Sequence, residues 1–193
     1  MALNLRLEEY FPLEVNETVL LGPFTSEDCP EFYSMVVENR EHLGVWLPWA
    51  SKVYKLDDAK EYLMRGINAT SSGEAVQLGI IEKEKITRKL IGLISIRKIG
   101  VREPEGFYYG GIGYFLSASE QGRGIMTQSV RQLMAYGTAI GIKQFVMNIT
   151  EGNNRSIAIA ERLNYKCIPE AVTMLKLTPD TEPIAVTPYE YNV

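Results

Sequence analysis

The chain has 193 residues, of which 46% are hydrophobic and 23% charged, and its formal net charge is −4. This length and balance are typical of one globular domain with a full core, so residues 1–193 are expected to form a single domain. The acidic balance argues against tight binding to nucleic acid or to an anionic membrane, because a basic surface provides most of the affinity for both.

Cysteine and histidine usage excludes further classes. Cys29 and Cys167 are far apart and lack metal-ligand spacing. No disulfide framework is therefore expected, and we expect the protein to be in the reducing cytoplasm. His42 is the single histidine, which excludes a multi-histidine site, and no metal is predicted. Residues 1–9 show no apolar signal-peptide core. No apolar run approaches the roughly 20 residues needed to cross a bilayer, so no membrane partner is predicted.

The N-terminal part predicts a strand and two helices. Residues 18–23 form a short strand that ends at a Gly-Pro pair. A helix follows from a hydroxyl N-cap at residue 25 or 26 to about residue 38, and a second helix spans residues 56–69. Between them, residues 39–49 hold both tryptophans and the histidine. Such aromatic side chains either cap a core or line a pocket.

Three strands are predicted next, over residues 75–82, 90–96 and 107–116, with charged turns at 84–88 and 102–105. The second strand is nearly all apolar, as expected of a central strand that is covered on both faces. The third strand is aromatic and rich in glycine. Glycines inside a strand mark a bulge or the close approach of a ligand.

The C-terminal part predicts a helix over residues 125–140, a buried strand over 144–149 and a helix that opens at 152–156. Strand-like segments follow at 165–167 and 172–177, and the tail has a short alternating stretch at 184–186. The element order is β-α-α-β-β-β-α-β-α-β-β. This order predicts a mixed α/β layer fold, with sequential antiparallel strands before a βαβ unit.

A glycine-bearing turn over residues 120–127 joins the aromatic strand to the long helix. Backbone N–H groups at a helix start lack partners within the helix, and the helix dipole adds partial positive charge. The turn is therefore suited to an anion, most often a phosphate. The alternative is that it only connects a strand to a helix.

Two segments together resemble the GNAT acetyltransferase superfamily. Residues 121–126, Gln-Gly-Arg-Gly-Ile-Met, match the pyrophosphate loop Gln/Arg-x-x-Gly-x-Gly/Ala except in the last place. Residues 153–156 and 160–165 match an Asn-x-x-Ser helix start with a Glu-Arg-Leu-Gly-Phe-like ending. Residues 112–117 and 46–49 are similar to segments of ribosomal-protein serine/alanine N-acetyltransferases. The resemblance covers roughly residues 18–178.

The resemblance implies a GNAT-like α/β (α+β) fold, with a mixed, mostly antiparallel central sheet of six to seven strands flanked by helices on both faces. It implies acetyl-CoA as the co-substrate, and a monomer or homodimer. The residues expected to contact the cofactor lie at the strand end, in the loop and at the later helix start: Phe115, Leu116, Gln121, Gly122, Arg123, Gly124, Ile125, Met126, Thr127, Asn153 and Ser156.

Acetyl transfer to an amine needs a proton acceptor for the amine and a proton donor for the leaving thiolate. Ser156 matches the position that, in some relatives, contacts the thiol and can protonate the leaving thiolate. Tyr165 is a rival donor with an alternative role in the core. Relatives often place a glutamate as base where Gly111 stands here. Glu120 is the leading substitute, and the further candidates are Glu105, Glu170, His42 or water alone.

The expected acceptor is the N-terminal amine of a protein, most simply a ribosomal one, and it is expected to contact Trp46, Trp49 and Tyr114. Two alternatives stay open at this point. The acceptor could be a small amine such as a polyamine, an antibiotic or a metabolite. The chain could also be a non-catalytic acyl-CoA-binding module that regulates a partner.

Overall fold

A mixed β-sheet of nine strands runs through the residues that the computed structural model describes, which are 5, 7–52, 55–83, 88–176 and 182–193. Its strands are β1 (Leu13–Glu14), β2 (Val19–Pro23), β3 (Val76–Lys83), β4 (Arg88–Arg102), β5 (Phe107–Leu116), β6 (Ile142–Thr150), β7 (Lys166–Cys167), β8 (Thr173–Leu175) and β9 (Ile184–Asn192). The helices are α1 (Leu7–Tyr10), α2 (Cys29–Glu38), α3 (Arg40–Gly44), α4 (Leu56–Ser71), α5 (Ile125–Ala139) and α6 (Asn154–Arg162).

The spatial order of the strands is β1-β2-β3-β4-β5-β6-β9-β7, and β8 also pairs with β9. Neighbouring strands are antiparallel except for β5 and β6, which are parallel and joined through α5. This is the predicted combination of an antiparallel meander and one βαβ unit. The predicted mixed, mostly antiparallel sheet is confirmed.

Helices cover the sheet on both faces, as predicted. On one face, α5 and α6 pack Val130, Leu133 and Ala160 into a core cluster that also contains Ile94 and Phe145. On the other face, α2 and α4 pack into a second cluster of apolar side chains from both helices and from the strands beneath them. That cluster includes Phe32, Val36, Leu63, Leu93 and Phe115.

Two of the nine strands go beyond the six to seven expected. β1 has only two residues, too few to show an alternating pattern. The other is β9, of which the sequence predicted only a short alternating stretch at 184–186. In the structure β9 continues to Asn192, because it pairs with β6 on one side and with β7 and β8 on the other. Pro188 lacks a backbone N–H and so argues against a central strand in the sequence. In the structure its carbonyl still pairs, since it accepts a hydrogen bond from the Ile168 N–H at 3.0 Å.

Some of the expected segments lie partly outside the described residues. These are the lead-in at 1–4 and 6, the charged turn at 84–87 and the end of the 172–177 strand at residue 177. No helix within the described ranges has both the length and the apolar character that crossing a membrane requires.

An aromatic cluster ties the loop after α3 to the end of β5. Trp49 stacks on Tyr62 of α4 with ring centroids 4.2 Å apart, and it packs against Phe115 at 5.5 Å. Phe32 of α2 stacks on Tyr62 at 5.5 Å. Aromatic pairs contribute roughly 0.5–1.5 kcal/mol each beyond their buried area, so this cluster helps to fix the loop over the strand end.

Candidate active site

A cleft opens where β5 and β6 separate. Their parallel pairing runs from Tyr108–Ile142 only to Gly111–Val146. Beyond that point β5 continues to pair with β4 as far as Leu116, and β6 continues to pair with β9 as far as Thr150. The diverging halves of the two strands line a cavity of about 920 Å³. A cleft of this kind exposes strand backbone to a ligand, which can then be held by strand addition.

The glycine turn forms one end of this cavity. Gly122 and Gly124 both adopt left-handed conformations, with φ of 79° and 74°, which cost little only for glycine. Gly124 is the N-cap of α5, and no side chain caps that helix. The N–H groups of the first helical turn are therefore available to an anion. The Ile125 and Met126 side chains are buried in the core, so they contribute through their backbone.

The Asn39 side chain, at the end of α2, holds the segment just before this turn. Its Oδ1 accepts from the Ala118 N–H at 2.8 Å, and its Nδ2 donates to the Met35 carbonyl at 2.8 Å. Asn39 was not among the predicted site residues. A polar residue at the end of α2 gives no sequence signal of a contact 79 residues away.

Glu120 and Arg123 hold the turn to the sheet. The Glu120 carboxylate is 6% exposed, accepts from the Arg123 guanidinium and lies 3.7 Å from Lys89 Nζ. Arg123 also pairs with Glu82 at 3.1 Å. Because both charges are compensated within the protein, this geometry favours a structural role for Glu120 over the predicted proton acceptor. Arg123 likewise faces carboxylates rather than the cavity.

The start of α6 brings three predicted residues together. Asn153 caps the helix, since its Oδ1 accepts from the Ser156 N–H at 3.2 Å. A side-chain hydrogen bond links the Ser156 hydroxyl to the phenol of Tyr114, which comes from β5. Burial raises the pKa of Tyr114, and this hydrogen bond works in the opposite direction. All three residues line the cavity, so two hydroxyl groups lie next to each other beside the splayed strands.

Tyr165 lies away from the cavity lining. Its side chain is 6% exposed and its hydroxyl donates to Met134 Sδ at 3.3 Å. Burial, followed by the neighbouring phenols of Tyr114 and Tyr191, raises its pKa. This geometry matches the core-packing alternative for Tyr165 and gives no path for its proton to the cavity.

The two tryptophans have different environments. Trp46 lines the cavity, and a Cβ placed on Gly152 would lie 3.8 Å from its Cη2. Trp46 therefore reaches across to the loop between β6 and α6. Trp49 belongs to the aromatic cluster with Phe32, Tyr62 and Phe115. Its contact with substrate was predicted, but its contacts here support the position of the Trp46 loop instead.

A hydrogen bond joins α3 to the glycine turn. Gln121 Nε2 lies 2.5 Å from His42 Nε2. An amide nitrogen can only donate, so this contact is a hydrogen bond in the neutral tautomer that carries its proton on Nδ1. Burial, with a further contribution from the Arg155 guanidinium, lowers the pKa of His42. Both causes disfavour the charged imidazolium, and Nε2 of His42 is already engaged by Gln121.

The cavity lining is rich in cations. Among the described residues that line it, the arginines are Arg97, Arg131, Arg155 and Arg162, and the carboxylate is Glu120. Glu105 and Glu170, the other carboxylates considered as bases, are exposed residues outside this lining. Arg97 was missed in the sequence. Its place in the cavity follows from the strand register, in which Arg97 of β4 pairs with Gly111 of β5.

Comparisons with known proteins agree with this geometry. The family model described as Acetyltransferase (GNAT) domain matches residues 18–166, which is more than half of the chain. A protein of Escherichia coli (strain K12) named ribosomal-protein-serine acetyltransferase is 26% identical over 154 residues, covering 79% of this chain and 82% of that protein.

Two solved structures share the fold at low identity. One is the ribosomal L7/L12 alpha-N-protein acetyltransferase RimL in complex with coenzyme A, with a TM-score of 0.80 and 23% identity over 94% of this chain and 98% of that one. The other is the microcin C7 self-immunity acetyltransferase MccE with acetyl-CoA and AMP, with a TM-score of 0.80 and 23% identity over 93% of this chain and 94% of that one.

Proposed function

Because this chain belongs to the GNAT acetyltransferase family and is an acetyl-CoA-dependent N-acetyltransferase, we propose that its acceptor is the N-terminal amine of a protein. The observation that carries this proposal is the open cavity, which extends from the glycine turn to Trp46 and Arg97. A cavity of about 920 Å³ that runs along a strand edge has room for an extended chain beside the cofactor, whereas a small amine needs less space.

The cofactor is bound with its pyrophosphate on the backbone of residues 121–127 and its pantetheine arm along the free edge of β5. The uncapped start of α5 supports the first contact, and the end of the β5–β6 pairing at Gly111 supports the second. The arm ends at Leu116, opposite Ser156. Asn153 keeps its Nδ2 group for the arm, since its Oδ1 is occupied by the helix cap.

The reaction is a direct attack in a ternary complex. The neutral amine attacks the thioester carbonyl, and a backbone N–H near Leu116 stabilises the oxyanion. When the C–S bond breaks, the Ser156 hydroxyl gives its proton to the thiolate sulfur and takes a proton back from solvent. Its hydrogen bond with Tyr114 holds the hydroxyl in place. The attacking amine loses its proton to water, because Glu120 is paired with cations and His42 Nε2 is engaged by Gln121.

The charge of the cavity argues against a polyamine or a cationic antibiotic as acceptor. Its arginines include Arg97 and Arg155, and its one carboxylate among the described lining residues, Glu120, is already paired. A polycation would meet like charges there, which disfavour binding. A metabolite amine with an anionic group is the small-molecule alternative that this charge favours.

We expect the purified protein to acetylate a peptide with a free N-terminus and to leave the same peptide with a blocked N-terminus and an internal lysine unchanged. The measurement is the intact mass of each peptide after incubation with acetyl-CoA, with coenzyme A release followed in parallel. Spermidine and a small amino acid serve as the alternative acceptors. Acetylation of a small amine but of no peptide would contradict the proposed acceptor.

A further inference from the structure

Among the described arginines that line the cavity, Arg97 alone lies on the face of the sheet covered by α2 and α4. It pairs with Gly111 across β4 and β5, and its guanidinium lies over Gly113. A Cβ on Gly113 would overlap that guanidinium, so the glycine leaves the space that Arg97 fills. In β4, the regular pairing with β5 is interrupted by a bulge between Arg97 and Gly100, so Arg97 is the last residue before this irregularity.

The charge of Arg97 is not compensated within the described part of the protein. Arg97 is exposed, and no ion pair among the described residues includes it. By contrast, Arg123 pairs with two carboxylates near the glycine turn. A guanidinium that lines a cavity and lacks a carboxylate is well suited to bidentate binding of an anionic ligand group.

The cofactor's phosphates are too far along the cleft to be that ligand. They are assigned to the glycine turn after β5, and Arg131 stands one helical turn beyond Thr127 on the cofactor side. Arg97 instead contributes to the electrostatic environment of Tyr62 on α4, in the aromatic cluster that holds the Trp46 loop. Arg97 therefore faces the acceptor.

The length of β5 sets the distance between the acceptor's amine and its anionic group. Leu116, where the thioester is proposed to end, lies three residue steps after Gly113, which corresponds to about 10 Å of strand. An extended peptide advances about 3.3 Å per residue. A carboxylate on the second or third residue would thus reach Arg97 when the N-terminal amine reaches the thioester.

We propose that Arg97 determines acceptor specificity by binding an aspartate or glutamate at the second or third position of the acceptor's N-terminus. This rests on the proposed function, because it assumes a peptide acceptor. It goes beyond that function because it specifies the charge and the sequence position of the acceptor residue that the enzyme recognises.

The test compares two peptides that differ only at positions two and three, with aspartates in one and asparagines in the other. We expect Arg97→Gln to lower kcat/KM for the acidic peptide by about 10- to 100-fold, the loss typical of a charge-assisted pair, and to change the neutral peptide far less. Arg97→Lys should restore part of the preference. The KM for acetyl-CoA should stay unchanged.

Lys98→Gln is the matched control, since it removes one positive charge from the adjacent exposed residue. An equal loss on both peptides, or a raised KM for acetyl-CoA in Arg97→Gln, would overturn the proposal. If neither peptide is acetylated, the proposed function fails, and calorimetric binding of the two peptides to the coenzyme A complex decides this inference separately. A preference for the acidic peptide that Arg97→Gln abolishes would support it, and equal binding would refute it.

Discussion

Gly124→Val is expected to weaken acetyl-CoA binding by about 100-fold, because the loss of one or two charge-assisted hydrogen bonds to phosphate has this effect. Gly124 has φ of 74°, and a β-branched residue in this conformation is strained by roughly 1–3 kcal/mol. The loop relieves the strain by turning its N–H groups away from the pyrophosphate. The added side chain also occupies the space over the helix start that the ligand needs.

Gly106→Val provides the control for this prediction. Gly106 lies in the turn between β4 and β5, with φ of 70°, and a Cβ there, as at Gly124, would meet no atom within 4 Å. The two variants should lose similar stability in denaturant unfolding, while only Gly124→Val should raise the Kd for acetyl-CoA in calorimetry. An unchanged Kd for Gly124→Val would show that the pyrophosphate is bound elsewhere.

Ser156→Ala is expected to lower kcat by about 100-fold with little change in the KM for acetyl-CoA, since proton transfer in the transition state typically contributes 10²- to 10⁴-fold. The fold should be retained, because the cap at this helix uses the backbone N–H of Ser156 and the side chain of Asn153. The rate is measured from coenzyme A release under saturating substrates.

Tyr114→Phe tests whether the two hydroxyls act as one unit. It should lower kcat as well, and the double variant should be no slower than Ser156→Ala, because groups that act together give non-additive losses. Tyr165→Phe is the control, since that hydroxyl is engaged with Met134 Sδ outside the cavity lining. Wild-type kcat in both Ser156→Ala and Tyr114→Phe would remove this pair from the mechanism.

The cofactor end of the site could be predicted from sequence because its determinants are local. Gly122 and Gly124 sit between a strand and a helix, and their conformations and the uncapped helix start follow from that short segment. Asn153 and Ser156 are likewise three residues apart on one helical turn. These two short segments carry the resemblance to the GNAT family, and that resemblance brought the groups into one prediction.

The acceptor end could not be predicted in the same way, because its determinants are long-range contacts. Trp46 and Trp49 are three residues apart, yet one lines the cavity and the other packs against Tyr62 and Phe115. Arg97 acquires its position from a register across two strands and from the missing Cβ of Gly113. The different positions of the two tryptophans and the position of Arg97 correspond to no pattern in the amino-acid sequence.

Glu120 shows how burial and partners change the expected chemistry of a residue. Its place beside the turn suggested a proton acceptor, but the fold brings Lys89 from β4 and Arg123 from the turn onto the same carboxylate. A carboxylate that is paired with two cations has its charge compensated within the protein, which favours a structural role. Sequence proximity to the loop gave no information about these partners.

A crystal structure of the complex with acetyl-CoA is the most direct test of the central claim. The account predicts that the pyrophosphate accepts hydrogen bonds from backbone N–H groups of residues 122–127. It also predicts that the pantetheine arm lies along residues 112–116 of β5, with the thioester sulfur near the Ser156 hydroxyl. A cofactor bound in the β5–β6 cleft with its pyrophosphate away from the glycine turn, or bound outside the cleft, would contradict it.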